Sequence, residues 1–495
     1  MFYINTYFFS SPNVHFTLGG HFRKTSSSRP THHIVKCKNF DGAQTNKLTY
    51  KRISLFELYA GKLHFLSNCN INGSVFLGGE TMSQSRDQAK SSLLALKNGV
   101  VPETVATFAI QRDEILEEFH QLLQLVKNEN GMMKFIVGEY GSGKSFMLKQ
   151  VEHEALEQNY VVANIQIEKG VRLNDFQTLY YHIMHSLTTK GTNTNKTSFQ
   201  DLFTNWLRSL KDQDQESSAL AIQSLISTLN DYHSSYSRAL LFYIRAHIQN
   251  DHELANAVTS WLTGEQNIPA SIKKRFEVVG KIDHTNAIDF MKAFIKLVKL
   301  LGYNGLVILV DELEVVMSYR SDIRMQAYQN LRYLIDNCYN NQLSNCLFVF
   351  ASTTDWLQNE EKGPKSYQAL FQRIGEGGQG KKRDVRQPVI RLKQLNSNEI
   401  QRLTKNIVEL FNQAYDFQLK ISQQSLQNWV LLLLKKEGIE ISEITVRSYV
   451  IKLIEILDLS EQNPNSVMFK TELKAVTDGD TVRYVQKMRQ KVDQT

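Results

Sequence analysis

A glycine-rich turn between an apolar run and a helical stretch constrains the fold of this 495-residue chain more than any other feature. It follows the strand-length run Met133–Val137 and precedes a predicted helix from Phe146 to Gln158. The turn reads Gly138-Glu139-Tyr140-Gly141-Ser142-Gly143-Lys144-Ser145. This is the phosphate-loop pattern, in which glycines let backbone N–H groups approach phosphates at the positive end of the helix. We expect the turn and Phe146 to bind ATP, with Lys144 at the β/γ-phosphates and the Ser145 hydroxyl on Mg²⁺.

A second apolar run, Gly305–Val310, ends in the carboxylate pair Asp311-Glu312. At the C-terminal end of a buried strand, downstream of a phosphate loop, this pair predicts a metal-binding Asp311, acting through water or Ser145. Glu312 is then the residue that orients and deprotonates the attacking water. The presence of both acids indicates hydrolysis rather than binding alone.

A third apolar run, Cys346–Ala351, is followed by Ser352-Thr353-Thr354-Asp355. A polar side chain at the tip of such a strand is in position to contact the γ-phosphate or the attacking water. We assign this role to Thr353, with Thr354 as the alternative. A turn-forming run of hydroxyl residues is the other interpretation.

The order of predicted strands indicates an α/β fold with a parallel sheet and helices on both faces. The core is expected over residues 131–392, with a large helical insertion at about 174–301, because most of that gap has a helical pattern. Residues 82–130 are predicted to form N-terminal helices. Residues 393–495 are predicted to form a helical lid and a tail with a basic helix-like stretch, Tyr484–Lys491.

The composition limits the classes of protein that the chain can belong to. Four scattered cysteines exclude a disulfide scaffold, and the absence of a CxxC pair makes a structural zinc site unexpected. The apolar runs, such as Trp429–Leu434, are far shorter than the ~20 residues of a membrane span. We therefore expect no membrane association and a reducing, cytoplasmic setting.

The net charge of +7 is unevenly distributed. Residues 1–81 hold nine Lys and Arg against three acids, which leaves only +1 for residues 82–495. Three interpretations of the first segment stay open. It is a small basic β-rich appendage, with strands near Asn13–Leu18 and Lys62–Leu66, or a poorly ordered arm. Alternatively it is a leader outside the native protein, since the codons of Gly78-Gly79-Glu80, just before Met82, resemble a ribosome-binding sequence.

A glycine-rich basic segment at residues 374–386 contains Lys381, Lys382, Arg383 and Arg386. These side chains suit contact with the phosphate backbone of double-stranded DNA, without sequence preference and with strong salt dependence. A solvated hairpin turn is an equally good interpretation.

With the phosphate loop, the Asp-Glu strand, the polar-tipped strand and the lid in place, the sequence resembles AAA+ and related origin-recognition-type ATPases. The segment from Phe108 to Leu116 is similar to the box that packs on adenine in that class, although Gln111 replaces its usual glycine. The resemblance assigns Ile110 and Arg112 to the adenine side of the site.

A narrower resemblance covers about residues 85–465. The segments GEYGSGKSF, VDELEVVMSYRSDIRMQAYQNLRYLID and ALFQRI are similar to the ATP-binding proteins of BREX-type phage-defence systems (BrxD-like), which also occur in Shango-type operons. This resemblance implies ATP hydrolysis, a homo-oligomer, and work beside a helicase and other defence-operon proteins on DNA. It also implies that Arg373 is a finger reaching a neighbouring subunit's γ-phosphate and that Arg447 is a phosphate sensor in the lid. Surface salt bridges are the alternative for both arginines.

Three functional hypotheses follow. The first is an oligomeric ATPase of an antiphage system. The second is a slow nucleotide switch or scaffold that gates assembly of a defence complex. The third is an origin-type DNA loader, for which residues 458–495 look too short to supply a winged-helix segment.

Overall fold

The computed structural model describes residues 8–11, 14–17, 33–37, 49–53, 80–102, 112–168, 170–191, 199–375, 384–393, 395–417, 422–439 and 444–463. The chain separates into two compact units, Met1–Thr81 and Met82–Thr495. Ile110, Lys381, Lys382, Arg383 and the predicted tail helix Tyr484–Lys491 lie outside the described residues.

The first unit contains a four-stranded antiparallel sheet in which each strand pairs with the next along the chain. Its strands are β1 (Phe8–Ser11), β2 (Val14–Thr17), β3 (His33–Cys37) and β4 (Thr49–Ile53). The strand predicted near Asn13–Leu18 is therefore present as β2. The strand predicted at Lys62–Leu66 lies outside the described residues.

The second unit is built on a six-stranded sheet with the order β10-β5-β9-β8-β6-β7. Five of its strands are parallel, and the short β7 pairs antiparallel with β6 at the edge. The strands are β5 (Gly131–Val137), β6 (Val161–Gln166), β7 (Leu187–Thr188), β8 (Leu306–Asp311), β9 (Cys346–Ser352) and β10 (Val389–Arg391). The predicted parallel core is confirmed, whereas the two-residue β7 was not predicted.

The central strands are apolar throughout because both faces of the sheet are covered. Alternate residues of β8 enter different clusters: Ile308 and Val310 face one side, whereas Val307 and Leu309 face the other. Strand β9 divides in the same way. This alternation is the two-residue period of an extended strand.

Helices cover the two faces unequally. One face packs against α2 (Asp113–Lys127) and α3 (Lys144–Glu157). The other packs against α11 (Ser321–Tyr339) and the predicted insertion, which is helical and whose buried side chains are continuous with the sheet core. The insertion contains α4 (Phe176–Met184), α5 (Phe199–Lys211), α6 (Gln215–Asn230), α7 (Ser234–Gln249), α8 (His252–Leu262), α9 (Ala270–Arg275) and α10 (Ala287–Leu300).

The lid has its own apolar cluster, which also takes in Ala89 and Leu93 of the first helix of this unit, α1 (Glu80–Lys97). Two short helices, α12 (Thr354–Gln358) and α13 (Gln368–Ile374), precede β10. The lid helices are α14 (Ser397–Tyr415), α15 (Gln423–Lys436) and α16 (Val446–Gln462). Within the described ranges, no helix is both long and apolar enough to cross a membrane.

Candidate nucleotide-binding site

The phosphate loop joins β5 to α3 and holds its lysine inward. Lys144 is buried, and its Nζ donates hydrogen bonds to the carbonyl oxygens of Gly138 at 3.0 Å and Glu139 at 3.1 Å. Gly143 caps the N-terminus of α3 in the left-handed conformation, with φ 94°. This geometry keeps the lysine and the helix N-terminus at the same point, as phosphate binding requires.

The carboxylate pair meets the loop at the carboxyl end of β8. Ser145 Oγ donates to Asp311 Oδ2 at 2.5 Å, and the Glu312 N–H donates to Asp311 Oδ1 at 2.9 Å. Glu312 adopts a left-handed backbone conformation, with φ 61°, which is rare for a residue with a side chain. Backbone strain of this kind concentrates at functional positions.

A cavity of about 250 Å³ brings the two halves of the site together. Its polar end contains Lys144, Ser145, Asp311 and Glu312. Its apolar walls come from α1, from the segment after it, from the first turn of α3 and from the lid: Leu96, Val100, Val101, Phe146, Leu403, Ile407, Val446 and Val450. A cavity with one charged and one apolar end suits a nucleotide, whose phosphates and base differ in the same way.

Arg112 and Arg447 both line this cavity, as their assignment to the site requires. Arg112 is buried, and its guanidinium donates to the carbonyl oxygens of Ser142 at 3.3 Å and Lys393 at 3.1 Å. It therefore ties the phosphate loop to the segment after β10. Ile110, the other predicted adenine-side residue, falls in the undescribed segment 103–111.

The lid touches the phosphate loop through the N-terminus of α16. The Arg447 N–H donates to the Gly141 carbonyl oxygen at 3.2 Å. Gly141 has φ 75°, and a Cβ placed on it would lie 2.8 Å from Thr445 Oγ1. The loop and the lid can meet this closely because residue 141 has no side chain.

We expect the Gly141→Ala substitution to weaken nucleotide binding about 5- to 30-fold. This range corresponds to the roughly 1–2 kcal/mol cost of a left-handed alanine, and the new methyl group also pushes Thr445 and the lid away. Titration with a fluorescent ATP analogue measures the effect. Gly302→Ala is the matched control, since Gly302 has φ 94° and open space around it. Equal affinities in wild type and Gly141→Ala would contradict the importance of this contact.

Tyr140 and Lys144 of the phosphate loop lie beside each other. Tyr140 is 71% exposed, and Lys144 Nζ lies 5.2 Å from the centre of its ring. Although the side chain is largely exposed, partial desolvation of the Tyr140 hydroxyl, followed by the negative charges of Glu314 and Glu312, raises its pKa. Burial also lowers the pKa of Lys144, and the negative charges of Glu314 and Asp311 partly offset this decrease.

Thr353 does not join this group. It is buried at the end of β9, and its Oγ1 accepts a hydrogen bond from the Trp356 N–H at 3.4 Å, which caps α12. Neither Thr353 nor Thr354 is among the described residues that line the cavity. This geometry gives no support to the predicted contact with the γ-phosphate, because neither threonine reaches the cavity that holds Lys144 and Glu312.

Arg373 also lies apart from the cavity-lining residues of its own chain. Its guanidinium forms a two-pronged ion pair with Asp336 of α11, with one N–O distance of 3.0 Å, and donates to the Ala369 carbonyl oxygen at 2.6 Å. Arg332 lies 3.5 Å from the same carboxylate. The structure thus holds Arg373 on α11 within one chain.

Of the four predicted basic contacts, only Arg386 is described, and its side chain is exposed. The backbone around it is anchored by Lys134 of β5, whose Nζ donates to the carbonyl oxygens of Val385, Arg386 and Gln387 at 2.9–3.0 Å. Burial lowers the pKa of Lys134, and its 2.7 Å ion pair with Glu118 partly restores it.

Sequence reasoning missed Glu314, a third carboxylate in the cavity. It lies in the 3₁₀ turn Leu313–Ser318 after β8 and is 92% buried, with 8% of its surface exposed. The apolar residues that flank it in the turn were a usable signal, because an acid embedded in such a stretch is drawn inward with its neighbours.

The donors present fit ATP with Mg²⁺. Mg²⁺ prefers oxygen ligands and keeps several waters beside substrate phosphates, so a hydroxyl and a carboxylate 2.5 Å apart form a suitable protein share of its shell. Lys144 and the N-terminus of α3 supply the positive charge that phosphates need.

The parallel sheet, the phosphate loop, the Asp-Glu pair at the end of the adjacent strand and the lid define a AAA+-like ATP-binding protein. Over residues 85–475 the chain matches the family described as BREX system ATP-binding protein BrxC/D, and it belongs to that family.

Two solved structures are similar to the chain at 10% identity and a TM-score of 0.32. One is domain III of the replication initiation protein DnaA from Thermotoga maritima, with 76% of this chain and 95% of that chain covered. The other is Drosophila ORC bound to DNA, with 85% and 73% covered. No curated protein sequence matches the chain.

Proposed function

We propose that this protein is an Mg²⁺-dependent ATPase of a BREX- or Shango-type antiphage system, which acts as an oligomer beside a helicase on DNA. The observation that carries the proposal is the 2.5 Å contact between Ser145 and Asp311, with Glu312 directly after it and facing the same cavity. A site that only binds nucleotide needs Ser145 and Asp311 for the metal, but it does not need a base such as Glu312 beside them.

Each residue then has a chemical task. Lys144 and the loop N–H groups hold the β- and γ-phosphates, and Mg²⁺, held by Ser145 and Asp311, would neutralise their charge. Glu312 accepts a proton from the attacking water while the oxygen of that water forms a bond to the γ-phosphorus. The bond from that phosphorus to the β–γ bridging oxygen breaks, and ADP and phosphate leave.

Arg373 supports an oligomer with shared sites. Its own chain keeps it outside the cavity, so its action on a γ-phosphate requires the site of a neighbouring subunit. An arginine supplied in this way accelerates related P-loop enzymes by about 10³–10⁵-fold.

We expect Arg373→Ala to bind ATP normally and to lose hydrolysis, whereas mixing it with Lys144→Ala restores part of the activity. In a mixed oligomer, some sites combine an intact Lys144 with an intact neighbouring Arg373. Phosphate release from mixed and separate variants measures this rescue.

Arg332→Ala is the matched control, because Arg332 also pairs with Asp336 but has no assigned role at the phosphate. It should hydrolyse ATP at nearly the wild-type rate. Mixed oligomers that stay as inactive as the separate variants would count against a shared site.

Contact with DNA rests on the exposed Arg386 and on membership of a BREX family. Backbone contacts of this kind predict binding without sequence preference that weakens steeply as salt rises. We expect a partner helicase to use the energy that ATP hydrolysis releases.

The second candidate, a slow nucleotide switch that gates complex assembly, is favoured by the ion pair that holds Arg373 on Asp336. A chain whose finger is held in this way hydrolyses slowly when isolated. Steady-state ATP turnover with and without double-stranded DNA and the partner proteins separates the two candidates. Stimulation by DNA supports the motor, and turnover that stays unchanged supports the switch.

A further inference from the structure

A buried carboxylate lies beside the phosphate-binding lysine without an assigned role. Glu314 and Lys144 are each 92% buried and line the same cavity. Glu314 Oε2 makes no hydrogen bond of normal geometry within the described part of the chain, although the hydroxyls of Ser352 and Tyr140 lie close enough to influence the carboxylate. A buried, unpaired carboxylate oxygen is costly, so the position requires a compensating positive charge.

Among the described residues, three cations line the cavity with Glu314, namely Arg112, Lys144 and Arg447, and Lys144 is the one that belongs to the phosphate loop. Burial lowers the pKa of Lys144, and the negative charge of Glu314 opposes this more strongly than those of Asp311 and Glu139 do. Tyr140 lies beside Lys144 and Glu314. Its ring centre is 5.2 Å from Lys144 Nζ, and the negative charge of Glu314 raises the pKa of its hydroxyl. The cavity therefore contains the phosphate-loop lysine and a carboxylate that neither the metal pair nor the base accounts for.

We propose that Glu314 is the counter-ion of Lys144 in the empty site, a positioning residue that competes with the nucleotide phosphates for the lysine and thereby speeds release of ADP. The inference rests on the proposed ATP site. An anionic ligand must share Lys144 with a carboxylate that cannot leave, so the carboxylate lowers affinity for ATP and ADP alike.

The electrostatics of Glu314 agree with this arrangement. Burial is the largest influence and raises the pKa of its carboxyl group, with a smaller contribution in the same direction from Asp311. Its own backbone N–H, Lys144 and the Ser352 hydroxyl lower the pKa. The charged form of Glu314 therefore depends partly on Lys144. When nucleotide phosphates bind Lys144, the lysine stabilises the charged form of Glu314 less. The nucleotide and Glu314 therefore compete for the same lysine.

The test is direct binding of fluorescent ADP and ATP analogues to the full-length Glu314→Gln protein. We expect both dissociation constants to fall roughly tenfold, which corresponds to about 1.4 kcal/mol, and ADP to dissociate more slowly. A gain of affinity distinguishes this role from a structural one, because damage to packing would weaken binding. The gain should shrink as salt rises.

Glu118→Gln is the matched control, since it also neutralises a buried carboxylate but lies away from the cavity, paired with Lys134. It should leave both dissociation constants unchanged. Unchanged or weaker binding by a folded Glu314→Gln protein would overturn the counter-ion role, and so would an equal gain in Glu118→Gln. If wild type and Lys144→Ala both fail to bind nucleotide, the proposed function fails instead.

Discussion

In the Lys144→Ala protein, we expect ATP affinity to fall by about 10²–10⁴-fold, which removes hydrolysis at cellular ATP concentrations. Two charge-assisted hydrogen bonds to phosphate oxygens, at about 1.5–3 kcal/mol each, account for a loss of this size. The effect is large because Lys144 is already inside the cavity, held by the carbonyl oxygens of Gly138 and Glu139. Calorimetric titration with ATP and Mg²⁺ measures it.

Lys149→Ala provides the control for this substitution. Lys149 lies on the same helix, α3, but its side chain is 38% exposed, pairs with Glu152 and does not line the cavity. It should bind ATP as the wild type does. Wild-type affinity in Lys144→Ala would remove the loop from the nucleotide site.

Replacing Glu312 by glutamine is expected to leave ATP binding intact and to lower the hydrolysis rate by about 10²–10⁴-fold, the usual contribution of a general base. The amide keeps the size of the side chain but cannot accept the proton of the attacking water. Measured kcat should therefore fall without a matching rise in KM.

Glu129→Gln is the control for Glu312→Gln, because it makes the same substitution at a residue with the same backbone conformation. Glu129 also has a left-handed conformation, with φ 64°, but lies in the exposed turn after α2. Glu129→Gln should retain full activity. A Glu312→Gln protein that turns over ATP at the wild-type rate would show that another group activates the water.

The fold could be read from the sequence where local chemistry decides the structure. The phosphate loop depends on residues within one turn, from Gly138 to Ser145, and it needs no distant partner to be recognised. The strands β8 and β9 were equally visible, because strands buried on both faces appear as continuous apolar runs.

Side-chain partners between distant segments were not readable in this way. The Thr353 cap is a local contact by comparison, since its partner Trp356 lies three residues on, and the sequence did offer a turn-forming hydroxyl as the alternative. Arg373 pairs with Asp336, which lies 37 residues earlier on another helix. The sequence offered a salt bridge as the alternative for Arg373, but it did not identify Asp336 as the partner.

The walls of the cavity illustrate the same limit. Leu403 and Ile407 lie four residues apart on α14, which is the spacing of any core-facing helical stripe. Only the packing of the lid over the phosphate loop places them at the nucleotide cavity. Glu314 was overlooked because an acid just after Asp311-Glu312 resembles an exposed acidic turn until the burial of that turn is known.

The central claim is that ATP bound between the phosphate loop and Glu312 is cleaved there. A single-turnover experiment, with protein in excess over radiolabelled ATP and Mg²⁺, tests it most directly when run with double-stranded DNA and the partner proteins. We predict that the wild type converts its bound ATP to ADP, whereas Glu312→Gln holds ATP intact. Bound ATP that stays uncleaved in the wild type under every condition would contradict the claim and leave the nucleotide switch.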